Sequence, residues 1–165
     1  NPQRPLARLF DKSPSVRRRA ASALITVPAK PAQPALERAA KSDPDPAVRR
    51  YAVEALGWIE DSSVVPSLIA AASDPSARVR RFAAQELGRR SAPEALEALV
   101  SLFSDPDPDV RWQAVLAVGK LRDKRAMDAL IAALNDPVPQ VSNAAERALQ
   151  RLGVARSREK YLEQG

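Results

Sequence analysis

The feature that most constrains this chain is an internal period. Segments beginning at Asp11, Asp43, Asp74, Asp105 and Asp136 read DKSPSVRRRAASAL, DPDPAVRRYAVEALG, DPSARVRRFAAQELG, DPDPDVRWQAVLAVG and DPVPQVSNAAERALQ. Their aligned valines, Val16, Val48, Val79, Val110 and Val141, are 32 residues apart once and 31 apart three times. A constant period of this length marks stacked supersecondary units, none of which buries its apolar face alone.

Each copy has the same grammar. Asp followed by Pro is a helix entry, in which the Asp side chain is expected to cap free N–H groups and Pro to fill the first turn. Apolar residues then recur with helical spacing, as in Val48, Ala52, Ala55, Leu56 and Ile59, and not with strand alternation. A shorter apolar helix precedes each Asp (VVPSLIAAAS, APEALEALVSLFS, RAMDALIAALN), with Pro34, Pro66 and Pro93 near helix starts. The expected fold is all-α: a right-handed α-solenoid of about five stacked helical hairpins. The single repeat domain spans 1–152, with repeats at about 1–27, 28–59, 60–90, 91–121 and 122–152. Residues 153–165 are expected to form a C-terminal tail or short helix.

Composition removes several kinds of chemistry. The 165 residues include no His and no Cys, so thiol nucleophiles, His bases and the usual zinc ligand sets are absent. No glycine-rich phosphate loop occurs, because the five Gly are scattered. The recurring Asp residues read as turn residues, and no paired carboxylates stand out. We therefore expect no enzyme activity, no catalytic residue, no metal and no cofactor. No apolar stretch is long enough to cross a membrane. A cytoplasmic location is expected from the lack of a recognisable leader, in a chain that begins at Asn1 instead of Met.

The pattern resembles the HEAT-repeat family, in the short bacterial form of phycobilisome-lyase-type repeats, over about Pro5 to Leu152. That family carries a Pro in the first helix, an Asp in the turn and an Arg early in the second helix. Here these are Pro66, Asp74 and Arg80, and the step of six recurs in Asp11/Arg17, Asp43/Arg49 and Asp105/Arg111. The resemblance implies a structural ladder of these Asp and Arg residues between successive repeats. It also implies that the second helices line a concave surface, the face varied in designed HEAT-like binders. The last copy departs from the pattern, with Ser142 in place of the ladder Arg, Gln150 in place of Gly57, Gly88 and Gly119, and Glu146 where others carry Ala or Val. We read it as a C-terminal cap.

On a wheel of about 100° per residue, positions two, three, six and ten after each Val fall opposite the core. These twenty positions hold eight basic residues and one acidic one, Glu54, whereas the remaining positions hold 18 basic and 19 acidic. The net +6 of the chain therefore sits on this face. Four of the seven aromatics lie there too. The candidate partner-binding residues are Arg18, Arg19, Arg50, Tyr51, Glu54, Trp58, Arg81, Phe82, Gln85, Arg89, Trp112, Gln113, Leu116 and Lys120. Aromatics mixed with Arg are typical of interface hot spots. The expected function is a non-catalytic scaffold for an acidic protein or peptide, with the chain favoured as a monomer. Nucleic-acid binding ranks below it, because Lys is scarce on this face and no dedicated motif is present. An accessory subunit of a lyase-like enzyme is the further alternative. Trp112 is the leading single anchor, being the one large ring in the column of Arg18, Arg50 and Arg81.

Overall fold

The computed structural model describes residues 3–26 and 30–154. Ten α-helices are found among them: α1 (Gln3–Arg8), α2 (Pro14–Thr26), α3 (Gln33–Ser42), α4 (Pro46–Gly57), α5 (Val65–Ala71), α6 (Ala77–Arg90), α7 (Leu96–Ser101), α8 (Pro108–Leu121), α9 (Met127–Ala133) and α10 (Pro139–Arg151). They pair into five hairpins. The first helices of the later four are entered through 3-10 turns; Pro34 and Pro66 fall in the first turns of α3 and α5, and Pro93 opens the 3-10 turn ahead of α7. The expected tail lies outside the described residues beyond Val154. No described helix is long and apolar enough to cross a membrane.

The chain gathers into two compact units, Asn1–Glu86 and Leu87–Gly165. In the first, Leu9, Leu24, Leu36, Val48, Val53, Leu56 and Leu68 are fully buried. In the second, Leu99, Val110, Val115, Leu130, Leu134 and Leu149 play the same part. Each such side chain contributes about 1.5–3 kcal/mol through burial. Small residues set the helix spacing. A Cβ built on Gly88 of α6 would stand 2.7 Å from both Cα and Cβ of Ala117 on α8, and one on Gly119 would stand 3.0 Å from the Ala148 Cβ on α10. Within the first unit, Gly57 makes room for the carboxylate of the buried Glu86. Glu86 occupies the register position that is Ala55, Ala117 and Ala148 in other copies.

The repeated Asp and Arg residues join consecutive hairpins. In the first unit the Arg17 guanidinium donates from Nε and Nη2 to the two carboxylate oxygens of Asp43, at 2.8 and 3.1 Å. Its Nη1 donates to the Asp11 carbonyl of its own repeat at 3.0 Å. Arg49 does the same with the Asp74 carboxylate (2.8 and 3.0 Å) and the Asp43 carbonyl (2.8 Å). In the second unit Arg111 takes the Asp136 carboxylate (2.8 and 3.2 Å) and the Asp105 carbonyl (2.9 Å). The Arg80 Nη1 donates to the Asp74 carbonyl at 2.9 Å. The fork of an arginine fits this task, because two parallel bonds reach the neighbour while a third group fastens the local turn.

One expectation about these Asp residues is corrected. Asp43 and Asp105 do not cap α4 and α8; Asp45 and Asp107 do, accepting from Ala47 N–H and from Asp109 and Val110 N–H. The first Asp of each copy instead closes a turn on the N–H two residues on, as Asp43 does with Asp45 at 2.9 Å and Asp136 with Val138 at 2.9 Å. That turn leaves its other lone pairs for the neighbour's guanidinium. The chain thus divides the two duties between successive Asp residues, one for the ladder and one for the cap.

These contacts carry a pH signature. Burial works to raise the Asp45 and Asp136 carboxyls, but hydrogen bonds from Arg18 and the Ala47 N–H, and from Arg111 and the Val138 N–H, outweigh it and hold both below the ordinary range. Lys30, with Ser63, lowers Asp61 in the same direction. Carboxyls lowered by folding add stability that is complete above their unfolded value of about 4 and drains as pH falls through the folded values. The melting temperature is therefore expected to stay level from about pH 7 to 5 and to drop below about pH 4. A thermal melt series checks this, and a loss centred near neutrality would contradict it.

Candidate functional site

The first unit presents α2, α4 and α6 side by side, and the residues two and three past each Val stand on them. The Arg50 guanidinium lies 3.9 Å from the ring centre of Tyr51, its chain neighbour, and 4.8 Å from that of Phe82 on α6. Arg81 stacks on Phe82 in turn, at 5.4 Å. The order is ring, cation, ring, cation: Tyr51, Arg50, Phe82, Arg81. Each such contact is worth about 0.5–1 kcal/mol where water has access. Glu54, one turn on from Arg50, accepts from its Nη1 at 3.0 Å and fixes it further. All four members of the stack are half-buried, so part of each remains open to solvent while the mutual contacts restrain their rotamers. Trp58, at the end of α4, is exposed with half of its surface in water, as Phe10 beyond α1 also is, and Gln85 is exposed on α6.

Charge on this face is lower than the wheel count implied. Arg18 donates from Nε to the carboxylate of Asp45 at 2.5 Å, and Arg50 is paired with Glu54. Asp45 escaped the count because it sits in the turn ahead of α4, not on a helical column. Arg19 and Arg81 have no carboxylate partner among the described residues. Among the candidate residues of this face in the first unit, they are the cations with charge left to offer.

In the second unit, Trp112, Gln113 and Leu116 on α8 are half-buried, while Lys120 on α8 and Arg89 on the last turn of α6 are exposed. Trp112 and Leu116 stand one helical turn apart and form a short apolar ridge. Trp112, expected as the leading single anchor, is half-buried; the exposed large rings among the described residues are Phe10 and Trp58. No group of three or more Asp, Glu, His or Cys is placed to hold a metal ion among the described residues.

The model for HEAT repeats matches residues 3–78 and 65–150, which together span nearly all of the chain. No curated protein matches. Among solved structures, the chain is similar to the complex of CpcE and CpcF of phycocyanin lyase from Nostoc sp. PCC7120. The likeness has 29% identity and a TM-score of 0.80, over 99% of this chain and 68% of the other. A designed armadillo repeat protein in complex with the peptide (KR)4 shares the fold at 20% identity and a TM-score of 0.71, over 90% of this chain and 80% of that one. Human deoxyhypusine hydroxylase shares it at 18% identity and a TM-score of 0.65, over 92% and 73% of the two chains. With its repeated Asp and Arg rungs, its all-α hairpins and the match along its length, this chain belongs to the HEAT-repeat family.

Proposed function

We propose that this protein is a non-catalytic scaffold that binds a protein or peptide partner of acidic character through the outward faces of its second helices. The observation that carries this reading is the four-membered stack of Tyr51, Arg50, Phe82 and Arg81. It sets two guanidinium groups against aromatic rings, with all four side chains partly exposed. Rings and Arg in one cluster supply contact area at low entropic cost and accept carboxylates in a planar, two-pronged geometry. Trp58 on the first unit, and Trp112 with Leu116 on the second, extend the same chemistry.

A second reading is favoured by one observation. The likeness to the phycocyanin lyase complex covers 99% of this chain, which suits an accessory subunit of a lyase-like assembly. That role also works by binding a partner protein, so the same residues serve it.

The test uses a partner obtained by affinity capture from the source cells. Reversing charge at Arg50 and Arg81 (Arg50→Glu with Arg81→Glu) is expected to slow association by about tenfold or more at low salt, with the difference shrinking as salt rises. Stopped-flow mixing measures it, and an unchanged rate would remove the acidic partner. Should the captured partner be a nucleic acid, affinity would fall steeply with salt, and the protein-scaffold reading would be withdrawn.

A further inference from the structure

The one spacing of 32 in a period of 31 has a place in the structure. Leu36 stands seven residues before Asp43, whereas Leu68, Leu99 and Leu130 stand six before Asp74, Asp105 and Asp136. All four leucines are fully buried. The extra residue therefore falls between Leu36 and Asp43, in the last turns of α3. There the Asp43 N–H reaches back four residues to the Ala39 carbonyl, while those of Asp74, Asp105 and Asp136 reach back three. With the buried Ala39 and Ala40 matched to the buried Ala71 and Ala72, Lys41 is left without a counterpart. In the same register Ala40 corresponds to Phe103 of the fourth repeat.

Beside Lys41 a groove of about 600 Å³ runs between α3 and α5, inside the first unit. Both of its walls belong to repeats with a further repeat on either side in the chain. The second unit has the equivalent groove between α7 and α9, of about 330 Å³. One wall is nearly the same in both: Ser67, Ala70 and Ala71 of α5 match Ala129, Ala132 and Ala133 of α9. The other wall differs. The narrower groove is lined by Phe103, where the wider one has Ala40. Charge differs as well. Arg38 and Lys41 stand exposed along the wider groove, with no carboxylate partner among the described residues. No cation is among the described residues that line the narrower one. The Arg38 guanidinium is steadied 4.5 Å from the ring centre of Phe10. The two carboxylates of the wider groove are already engaged. Glu37 accepts from the Gln33 amide at 3.0 Å, and Asp74 holds the Arg49 guanidinium.

We infer that the α3–α5 groove is a second docking surface, which takes one aromatic side chain of a partner peptide with carboxylates beside it. The fourth repeat supplies the pattern for the occupant, because there the chain lines the same groove with a phenyl ring of its own. Ala40 leaves that place open, and the ring of a partner fits between Ala40 and Ala70. The carboxylates meet Arg38 and Lys41, the first of which can take one with two parallel bonds. Glu37, one turn ahead of Lys41, repels an acid at its own end of the groove, so the acids lie on one side of the ring. This surface belongs to the first helices, and the stack of Tyr51, Arg50, Phe82 and Arg81 to the second. The two readings share no side chain, and each stands or falls without the other.

The test titrates the full chain, labelled with nitrogen-15, with two end-blocked peptides, Glu-Asp-Phe-Gly-Ser and Ser-Gly-Phe-Asp-Glu. They place the acids on opposite sides of the ring. One of them is expected to shift the amide signals of Ala40, Lys41, Ala70 and Ser73 saturably, with a Kd of about 1 mM or tighter. Alanine in place of the peptide's phenylalanine is expected to weaken binding at least tenfold. Arg38→Glu with Lys41→Glu is expected to do the same, and because both side chains are exposed this variant needs no repacking of the fold. Ala40→Phe, which writes the fourth-repeat pattern into the groove, is expected to abolish the shifts with helical circular dichroism unchanged. Arg50→Glu with Arg81→Glu is expected to leave them in place, so that failure of the stack reading is told apart from failure of this one. Equal binding of the alanine peptide would overturn the aromatic occupant. Absence of shifts at these four amides, or shifts that survive the reversal of Arg38 and Lys41, would overturn the docking surface. Shifts confined to Tyr51, Phe82 and their neighbours would overturn it too, while leaving the scaffold reading intact.

Discussion

Arg49→Ala lowers the stability of the protein by about 3 kcal/mol, the expected cost of stranding a buried carboxylate. The side chain of Asp74 is 7% exposed, and both its oxygens receive the Arg49 guanidinium. The Asp43 carbonyl loses its partner in the same step. Against a total of about 5–15 kcal/mol for a domain, this is a large fraction. Removing both charges at once, as Arg49→Met with Asp74→Leu, is expected to recover part of the loss, because an apolar pair needs no compensation. Recovery stays incomplete, since the Ser76 N–H also bonds to the Asp74 carboxylate, at 2.8 Å. Lys30→Ala, which breaks the largely solvent-exposed pair with Asp61, is expected to cost no more than about 1 kcal/mol, well below the Arg49→Ala loss. Urea unfolding of the four proteins checks the series. A single Arg49→Ala variant as stable as wild type would show that the rungs are ornament on a fold held by its apolar core.

The fold was legible because its information is periodic. A Val every 31 or 32 residues, an Asp six residues before an Arg, and Pro at helix starts each repeat the same local instruction, so that one misread copy is corrected by the others. The division of labour between Asp43 and Asp45 was not legible. Both precede a Pro, and only the geometry of the turn separates a carboxylate that closes the loop from one that caps the helix. The candidate site was legible in part. A helical wheel places Arg50, Tyr51, Arg81 and Phe82 on one side of their helices. It does not show that Arg50 bends back over its own neighbour and meets a ring from the next hairpin, because that contact depends on the helix spacing set by small residues. It also misses Asp45, which neutralises Arg18 from a loop. Trp112 stood out in its column because the scaffold leaves that position unconstrained, a property of the alignment and not of exposure.

The rings are expected to matter more for binding than for folding. Tyr51, Phe82 and Trp112 are half-buried, so their truncation opens no closed cavity, and the melting temperature is expected to fall by no more than about 10 °C. Ring loss has a larger effect on a partner. It takes away contact area together with the surfaces against which Arg50 and Arg81 are held, and residues of this kind at the centre of an interface cost about 2 kcal/mol or more each. The most direct measurement is the affinity of the captured partner for wild type and for the combined Tyr51→Ala, Phe82→Ala and Trp112→Ala variant, by isothermal titration calorimetry, with circular dichroism on both proteins. The account predicts binding at least about 100-fold weaker, at a loss of about 2.7 kcal/mol or more, with helix content unchanged. An affinity equal to wild type, or a variant that has lost its helices, would contradict it.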